Sequence, residues 1–335
     1  MKDIKIATFG SHTALQILKG AKDEGFKTIA ICEKGKTSPY KIFNVADEII
    51  EISKFSEFEK YEQMLIKKNA IIIPHGSFVS YYNLDKLKKS KIPYYGCKNI
   101  LKWESDRNLE RQWLLKAGIK LPKVFESPDN VDSPVIVKEY GAKGGSGYFL
   151  AQNKKDFEEK IKTKKIAKYQ IQEFIVGTPV YIHYFYSPLD DKLEIMSMDK
   201  RYESNADALG RISFSDQKNM DIATSYTVVG NFPIVVRESL LHEIIRMGEN
   251  VIKASKEIEF PRGTWGPFCL ETILTDKLEF YVFEISARIV AGTNPFINGS
   301  SYSYLNYDVP MSTGRRIARD IKKAIELNRL KEIVE

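Results

Sequence analysis

Cys269-Leu-Glu-Thr-Ile-Leu-Thr-Asp-Lys-Leu-Glu-Phe-Tyr-Val-Phe-Glu-Ile-Ser-Ala-Arg288 is the stretch around which the chain is organised. Two apolar, β-rich runs flank the polar Thr275-Asp276-Lys277, the pattern of a hairpin. Each run carries one acid among residues that favour burial, Glu271 on the first and Glu284 on the second. Side chains alternate faces along a strand, so Glu284, Ser286 and Arg288 share a face. Twelve residues separate Glu271 from Glu284, an even number that allows direct cross-strand pairing with both carboxylates on that face. Two acids side by side on a half-buried sheet repel each other and lose hydration. A divalent cation would resolve the conflict; hard oxygen ligands suit Mg²⁺, which usually arrives with substrate phosphates. The competing reading is an exposed face with two solvated acids. The Ser and Arg that complete a polar face on an otherwise apolar strand favour the cation.

The chain is 335 residues long, enough for two or three packed units, and its 43% hydrophobic and 28% charged content is that of a water-soluble globular protein. No apolar run approaches a membrane span, and Met1-Lys-Asp-Ile-Lys-Ile6 has no signal-peptide core, so no membrane partner is expected. Cys32, Cys97 and Cys269 are widely spaced among apolar neighbours, which predicts reduced, buried thiols in a cytoplasmic protein. The net charge of +7 comes from lysines interleaved with glutamates along 154–168 and 321–332. That is a solvated surface, not a nucleic-acid footprint.

In chain order, strands are expected at Ile4–Phe9, Thr28–Cys32 and Ala70–Pro74. Between them lie a helix through Leu15, Leu18 and Ala21 and another over Glu57–Lys68. This alternation implies a parallel sheet with loops at its carboxyl edge. Gly10-Ser-His-Thr13 and His75-Gly-Ser77 both fall at that edge. The first opens a helix, where backbone N–H groups can hold an anion, or where Thr13 simply caps. It is not a dinucleotide fingerprint. One helix is expected over 98–118, then a strand Val135–Lys138 ending in a lysine. Gly141-Ala-Lys-Gly-Gly-Ser-Gly147 follows, four glycines in seven residues, a flap able to wrap N–H groups around phosphates. Strands at Tyr169–Ile175, Val180–Tyr186 and Leu193–Arg201, a polar loop over 200–216, a strand Ser225–Gly230, and helices over 237–256 and 315–328 complete the pattern. His183, inside an aromatic run, reads as a packed core residue.

A lysine-ending strand, a glycine flap, Gln172-Glu-Phe-Ile-Val-Gly177, a long polar loop, and an acid followed thirteen residues later by Glu284-Ile-Ser-Ala-Arg288 resemble, in this order, an ATP-grasp enzyme. The match sharpens at G-S-H-T-A-L-Q-I-L-K-G-A (10–21), H-G-S-F (75–78), W-E-S-D-R-N-L (103–109), H-Y-F-Y-S-P (183–188), M-D-K-R-Y-E-S-N (198–205), G-P-F-C-L-E (266–271) and F-E-I-S-A-R-I-V-A-G-T-N (283–294). Together these segments, spanning nearly the whole chain, resemble the family of archaeal formate-dependent 5-formaminoimidazole-4-carboxamide ribonucleotide (FAICAR) synthetases. The resemblance implies an α/β fold, α+β in part. A Rossmann-like parallel-sheet preATP-grasp domain would span 1–98 and a two-lobed ATP-grasp domain 99–335, with a small nucleotide lobe about 120–200 and a larger lobe about 201–335.

It also implies roles. Lys138 would reach the ATP phosphates and the flap, Gly144, Gly145, Ser146 and Gly147, would close over them. Glu173, Phe174 and Ile175 would form the adenine hinge, and Glu203 would contact ATP from the long loop. Glu271 and Glu284 would hold Mg²⁺ or Mn²⁺. His12, Ser77 and Asn231 would bind 5-aminoimidazole-4-carboxamide ribonucleotide (AICAR). Arg288, with Lys138, would face the transferring phosphoryl group. Ser286 stands where many ATP-grasp proteins have Asn, and Ser146 where family members have a basic residue. The implied reaction formylates AICAR with formate and ATP. Alternative readings are a carboxylate–amine ligase for another metabolite, or a non-catalytic nucleotide sensor. A homo-oligomer is expected, with the apolar segments 181–188 and 300–307 available for subunit contacts.

Overall fold

The structure is a computed structural model that describes residues 4–139, 147–164, 166, 168–218 and 227–335. Its first sheet contains β1 (Lys5–Phe9), β2 (Lys27–Glu33), β3 (Glu48–Ile52) and β4 (Ala70–Ile72), all parallel, in the order β3-β2-β1-β4. The edge strand β3 was not anticipated. It is short, and Glu48 and Glu51 interrupt its apolar residues, so its periodicity is weak. The helix expected over 57–68 is instead a 3₁₀ helix, Phe55–Tyr61, followed by a short helix, Glu62–Lys67. Three-residue spacing eclipses side chains in a 3₁₀ helix. Phe55 and Phe58 thereby meet the ring of Phe9 together, at centroid distances of 4.4 and 5.1 Å.

The second sheet is small and antiparallel: β5 (Val124–Phe125), β6 (Val135–Glu139), β7 (Tyr148–Ala151) and β8 (Tyr169–Glu173), in the order β5-β8-β6-β7. It has its own core, in which Val135, Val137, Phe149 and Ile171 pack with Phe157 of the helix Lys154–Lys164. The third sheet holds β9 (Thr178–Ser187), β10 (Lys192–Glu203), β11 (Val228–Pro233), β12 (Gly266–Leu274) and β13 (Phe280–Ser286), antiparallel in the order β11-β10-β9-β12-β13. The helix Leu241–Ile258 covers one face, where the Tyr184 hydroxyl donates to the Ile244 carbonyl at 2.8 Å. Segment 181–188, expected to offer subunit contacts, lies largely within the central strand β9 and is almost entirely buried. Residues 174–177 join the small sheet to the large one. Gly177 is required there by close approach, since a Cβ would lie 2.5 Å from the Leu274 carbonyl oxygen.

The chain end ties the first sheet to the third. Tyr94 and Glu335 exchange two backbone hydrogen bonds, of 2.9 and 2.8 Å. The helix Thr313–Glu326 meets the helix Ala14–Asp23 backbone to backbone: a Cβ on Gly20 would fall 2.3 Å from the Arg315 nitrogen, and one on Gly314 2.5 Å from the Gln16 carbonyl oxygen. Beneath this contact Arg316, 4% exposed, donates to Glu194 at 2.9 and 3.1 Å and to Asp320 at 3.1 Å. Asp320 also accepts from Ser187 at 2.7 Å and from Tyr95 at 3.1 Å, so it joins the first unit to the third sheet. No helix among the described residues is long and apolar enough to cross a membrane. Removing one member of a buried, hydrogen-bonded ion cluster leaves an uncompensated charge, which costs about 3–5 kcal/mol. Arg316→Ala, which leaves the buried Glu194 and Asp320 carboxyls without their cation, is accordingly expected to lower unfolding stability by that amount, measured by urea denaturation with an unchanged m-value.

Candidate active site

Residues directly opposite on antiparallel strands point to the same face. The register of the third sheet therefore assembles one polar face from five strands. Glu271 pairs with Glu284 on one side and Tyr181 on the other, and Tyr181 pairs with Asp199. The next row holds Ser197, His183, Cys269 and Ser286, and Arg201 pairs with Asn231 on β11. The acid pair depends on an irregularity. Below Glu271 the pairing shifts, Thr272 facing Val282, so Phe283 is an extra, bulged residue. Without it Glu284 would fall out of register with Glu271.

The two acids are differently held. Glu271 is 2% exposed; its Oε1 accepts from Arg201 Nη2 at 2.6 Å and from the Ser286 hydroxyl at 3.4 Å, while its buried Oε2 has no partner. Arg201 lies flat on the Tyr181 ring, 3.9 Å from its centroid. Burial first, and then the facing Glu271, push the Glu284 carboxyl up to about 7. Among the described residues no cluster of three or more His, Cys, Asp or Glu side chains forms a closed metal cage. A crowded pair with an orphaned oxygen fits a hard cation whose remaining ligands come with a substrate.

Two further acids escaped the sequence reading. The helix expected over 98–118 breaks at Asp106 into Ile100–Ser105 and Arg107–Lys116, and the Asp106 carboxylate caps the second helix by accepting from the N–H groups of Asn108 and Leu109. The break turns Glu104 and Glu110 onto β13. Glu110 accepts from the Ile285 N–H at 2.6 Å. Glu104 accepts from the Ala287 N–H at 2.8 Å and from Arg288 Nη2 at 2.7 Å. Burial, then the Glu284 charge, hold the Glu110 carboxyl well above the usual range. The available signal was the capping pattern Ser105-Asp-Arg-Asn108 inside an otherwise continuous helix.

The small sheet faces this hairpin. Lys138, on β6, brings Nζ 5.3 Å from the centroid of the bulged Phe283, and burial lowers its pKa against the pull of Glu284. Arg107, Glu110, Gln170, Gln172 and Phe283 line a small cavity between the sheets. Glu173 closes β8, and its carboxylate is committed to the Lys123 N–H at 3.0 Å. The Phe174 N–H donates to the Pro134 carbonyl at 2.9 Å, and Ile175 lies in the connection to β9. Of the expected flap, Gly147 begins the return toward β7 with φ 74° and accepts from the Glu139 N–H at 2.7 Å. Gly144, Gly145 and Ser146 lie outside the described residues. Glu203 ends β10, its carboxyl raised by burial and by Asp207; the polar loop beyond contains two short helices, Ser204–Leu209 and Phe214–Gln217.

The first sheet contributes its carboxyl edge. His12, at φ 55°, stacks on His75 with centroids 5.3 Å apart, and Gly76 is needed beneath it because a Cβ would lie 2.6 Å from His12 Nε2. The Ser77 N–H donates to His75 Nδ1 at 3.2 Å, so Nε2 carries the proton given to the Phe9 carbonyl at 2.9 Å. Ser11 and Ser77 hydroxyls pair at 2.7 Å. Thr13 makes no side-chain capping bond, leaving the helix start open. His12 is exposed at the cleft, and partial enclosure of its ring, reinforced by His75, Arg288 and Arg201, lowers its pKa. The loop after β13 joins the two units: His75 bridges to Ile289, and Asn294 Nδ2 donates to the His12 carbonyl at 3.1 Å. On the sheet face Asn231 Nδ2 donates to Asp199 Oδ2 at 2.7 Å.

Comparison with known proteins gives consistent relatives. Residues 149–335 match a family described as a domain of unknown function (DUF1297), and residues 6–125 one described as a protein of unknown function (DUF1246). The chain is 56% identical over 99% of its length to the 5-formaminoimidazole-4-carboxamide-1-(β)-D-ribofuranosyl 5′-monophosphate synthetase of Pyrococcus abyssi, covering 98% of that protein. It is 47% identical to the protein of that name from Methanocaldococcus jannaschii, over 99% of this chain and 95% of the other. Among solved structures, an IMP biosynthesis protein PurP from Thermococcus kodakaraensis superimposes with a TM-score of 0.79 at 30% identity, covering 98% of this chain and 100% of that one. An N5-carboxyaminoimidazole ribonucleotide synthetase solved with ADP shares the fold, with a TM-score of 0.66 at 16% identity, over 95% of this chain and 76% of that one.

The Glu284 carboxyl is held protonated to about pH 7 in the fold and ionises near 4.5 when unfolded. Between those values the native state binds more protons, so this group's contribution to stability falls as pH rises. In chelator-treated protein, Glu284→Gln is expected to raise the melting temperature at pH 8 relative to the parent and to flatten the decline between pH 4.5 and 7. An equal or lower melting temperature at pH 8 would remove the like-charge account.

Proposed function

The chain belongs to the family of the 5-formaminoimidazole-4-carboxamide ribonucleotide synthetases, and we propose that its polar sheet face is where this ATP-dependent ligase formylates AICAR. Formate is inert toward an amine because its leaving group would be oxide. In the proposed sequence a formate oxygen attacks the γ-phosphorus of ATP and the bond to the β-phosphate oxygen breaks. This gives formyl phosphate and ADP. The 5-amino nitrogen of AICAR then attacks the formyl carbon, the carbon–oxygen bond to phosphate breaks with its electron pair, and the nitrogen loses a proton. FAICAR and phosphate result, a step that belongs to purine (IMP) biosynthesis.

The observation that carries this reading is the meeting of Glu271, Glu284 and Lys138 where the two sheets face each other, with Arg288 held by Glu104 just beyond the end of β13. Phosphoryl transfer needs little covalent help from a protein; it needs placed charge. A Mg²⁺ or Mn²⁺ ion on Glu271 and Glu284, when bound, would offset charge on the phosphoryl oxygens. Lys138 would pair with phosphate oxygens, and the flap with Gly144, Gly145, Ser146 and Gly147 would cover them and exclude the water that hydrolyses an acyl phosphate. The adenine would lie against residues 173–175, with Glu203 at the far side. Arg288, held by Glu104, would face the transferring group. His12, Ser77 and Asn231 would bind the ribonucleotide. The lowered pKa of His12 favours the neutral ring, which would offer that ligand a hydrogen bond.

We retain the division into residues 1–98 and 99–335 as a proposal, together with a cytoplasmic site of action suited to three buried, unpaired cysteines. A homo-oligomer is also proposed. Tyr304 and Leu305, within the expected segment 300–307, are each 81% exposed, and burial against a second copy would remove them from water. The double variant Tyr304→Lys, Leu305→Lys is expected to lower the assembly mass in light scattering while leaving the fold intact.

Incubation with ATP, Mg²⁺, formate and AICAR is expected to yield FAICAR with ADP in equal amounts. Arg288→Ala should lower kcat by roughly 10²–10³-fold. ADP release that ignores both formate and AICAR would overturn the reading.

A further inference from the structure

Asn231 is the expected ribonucleotide ligand whose surroundings the sequence does not explain. Its side chain stands on the polar face opposite Arg201, half-buried. Beneath it lies a pair that the proposed chemistry does not use, Asp199 and His183, exposed by 0% and 1%. His183 Nε2 and Asp199 Oδ1 are 2.6 Å apart, and Asp199 Oδ2 is 2.7 Å from Asn231 Nδ2. A carboxylate only accepts hydrogen bonds, so both contacts have one direction. His183 must present Nε2–H, and Asn231 must present its amino group.

The group is packed so that it cannot rearrange. Gly292 closes over it: a Cβ there would lie 2.2 Å from Asp199 Oδ1 and 2.8 Å from His183 Cε1. Asp199 therefore has no room to turn, and each of its oxygens has a donor. The amide of Asn231 is nailed at its nitrogen end, which leaves Oδ1 as the end available to a ligand.

We infer that Asp199 is a positioning residue that locks the Asn231 amide with its carbonyl oxygen toward the ligand, so that the site selects an N–H donor on the ribonucleotide base. This rests on the reading of Asn231 as a ribonucleotide ligand. The 5-amino nitrogen must keep its lone pair free to attack, so the donor that suits Oδ1 is the 4-carboxamide NH₂. A 4-carboxylate in the same place offers only acceptors and would set oxygen against oxygen. Asp199 thus acts on substrate choice without touching substrate. A free asparagine would turn its amide over and accept either group.

The test compares binding of AICAR with its 4-carboxylate analogue by calorimetry, alongside KM for ATP. The parent protein is expected to favour the carboxamide by roughly ten- to a hundredfold, the range of one misdirected hydrogen bond to a charged group. Asp199→Asn, which can donate to the Asn231 oxygen and let the amide turn over, should shrink that preference to within about threefold, with KM for ATP unchanged. A merely structural residue would weaken both ligands alike and leave the ratio. A preserved ratio in Asp199→Asn, or a parent protein that prefers the carboxylate, overturns the inference. Asn231→Ala, which does not depend on Asp199→Asn folding, should lose the preference as well, and a preference that survives it also overturns the inference. If Asn231→Ala leaves affinity for both ligands untouched, the assignment of Asn231 to the ribonucleotide fails and the inference falls with it. Weaker binding to Asn231→Ala with an unchanged ratio in Asp199→Asn keeps that assignment and removes only Asp199.

Discussion

Glu271 and Glu284 are opposed across β12 and β13 where the sheet is largely closed to water, and most of the surrounding structure exists to keep them there. Left alone, two facing carboxylates would slide the hairpin by a residue or protonate. Neither escape is free. The bulge at Phe283 sets the register, and the extra residue is anchored by packing against Tyr181, with the Lys138 ammonium over its ring. Glu110 and Glu104 grip the backbone on the far side, at Ile285 and Ala287. Arg201 neutralises one oxygen of Glu271 and leaves the other without a partner. Above about pH 7, where Glu284 ionises, two like charges face each other, and a cation with its phosphates would relieve that repulsion.

The same loop that follows this hairpin carries the information to the first sheet. Arg288 pairs with Glu104, Ile289 bridges to His75, Gly292 packs on Asp199, and Thr293 and Asn294 take the two hydrogen bonds of Gln16 Nε2, at 2.6 and 2.9 Å. Five residues of the segment 288–294 therefore touch Glu104, the large sheet and the parallel-sheet edge. A site built from three sheets can hold its parts together only if some segment contacts all of them, and β13 with its extension is that segment.

How much of this was legible follows from range. The acid pair and the strand that carries Lys138 are local patterns, readable from spacing and period. So was the face shared by Glu284 and Ser286, because strand parity is local. The bulge at Phe283 was not, since an even spacing permits a register without requiring it. Glu104 and Glu110 drew no reading within the single helix expected over 98–118; the break at Asp106 turns them inward, and a cap inside a continuous helical pattern is a faint signal. β3 was hidden by its own charges. His183 was read as core, which it is by exposure; what the pattern could not contain is its pairing with the buried Asp199, and the contact of Asp199 with Asn231 across β10 and β11.

Electrostatics explains why the base side of the cleft carries histidine rather than lysine. Arg201 and Arg288 already bring two guanidiniums near His12, which is exposed, and His75 is buried, so both imidazoles are pushed toward the neutral form. A third fixed cation there would face the repulsion of two others. A neutral ring supplies direction without that cost. Lys138 and Arg288 carry the positive charge proposed to meet the phosphoryl group, while the groups proposed for the ribonucleotide, His12, Ser77 and Asn231, would act as hydrogen-bond donors and acceptors. Such groups distinguish ligands by the polarity of each hydrogen bond, which is why the direction of a single amide matters at this end of the cleft.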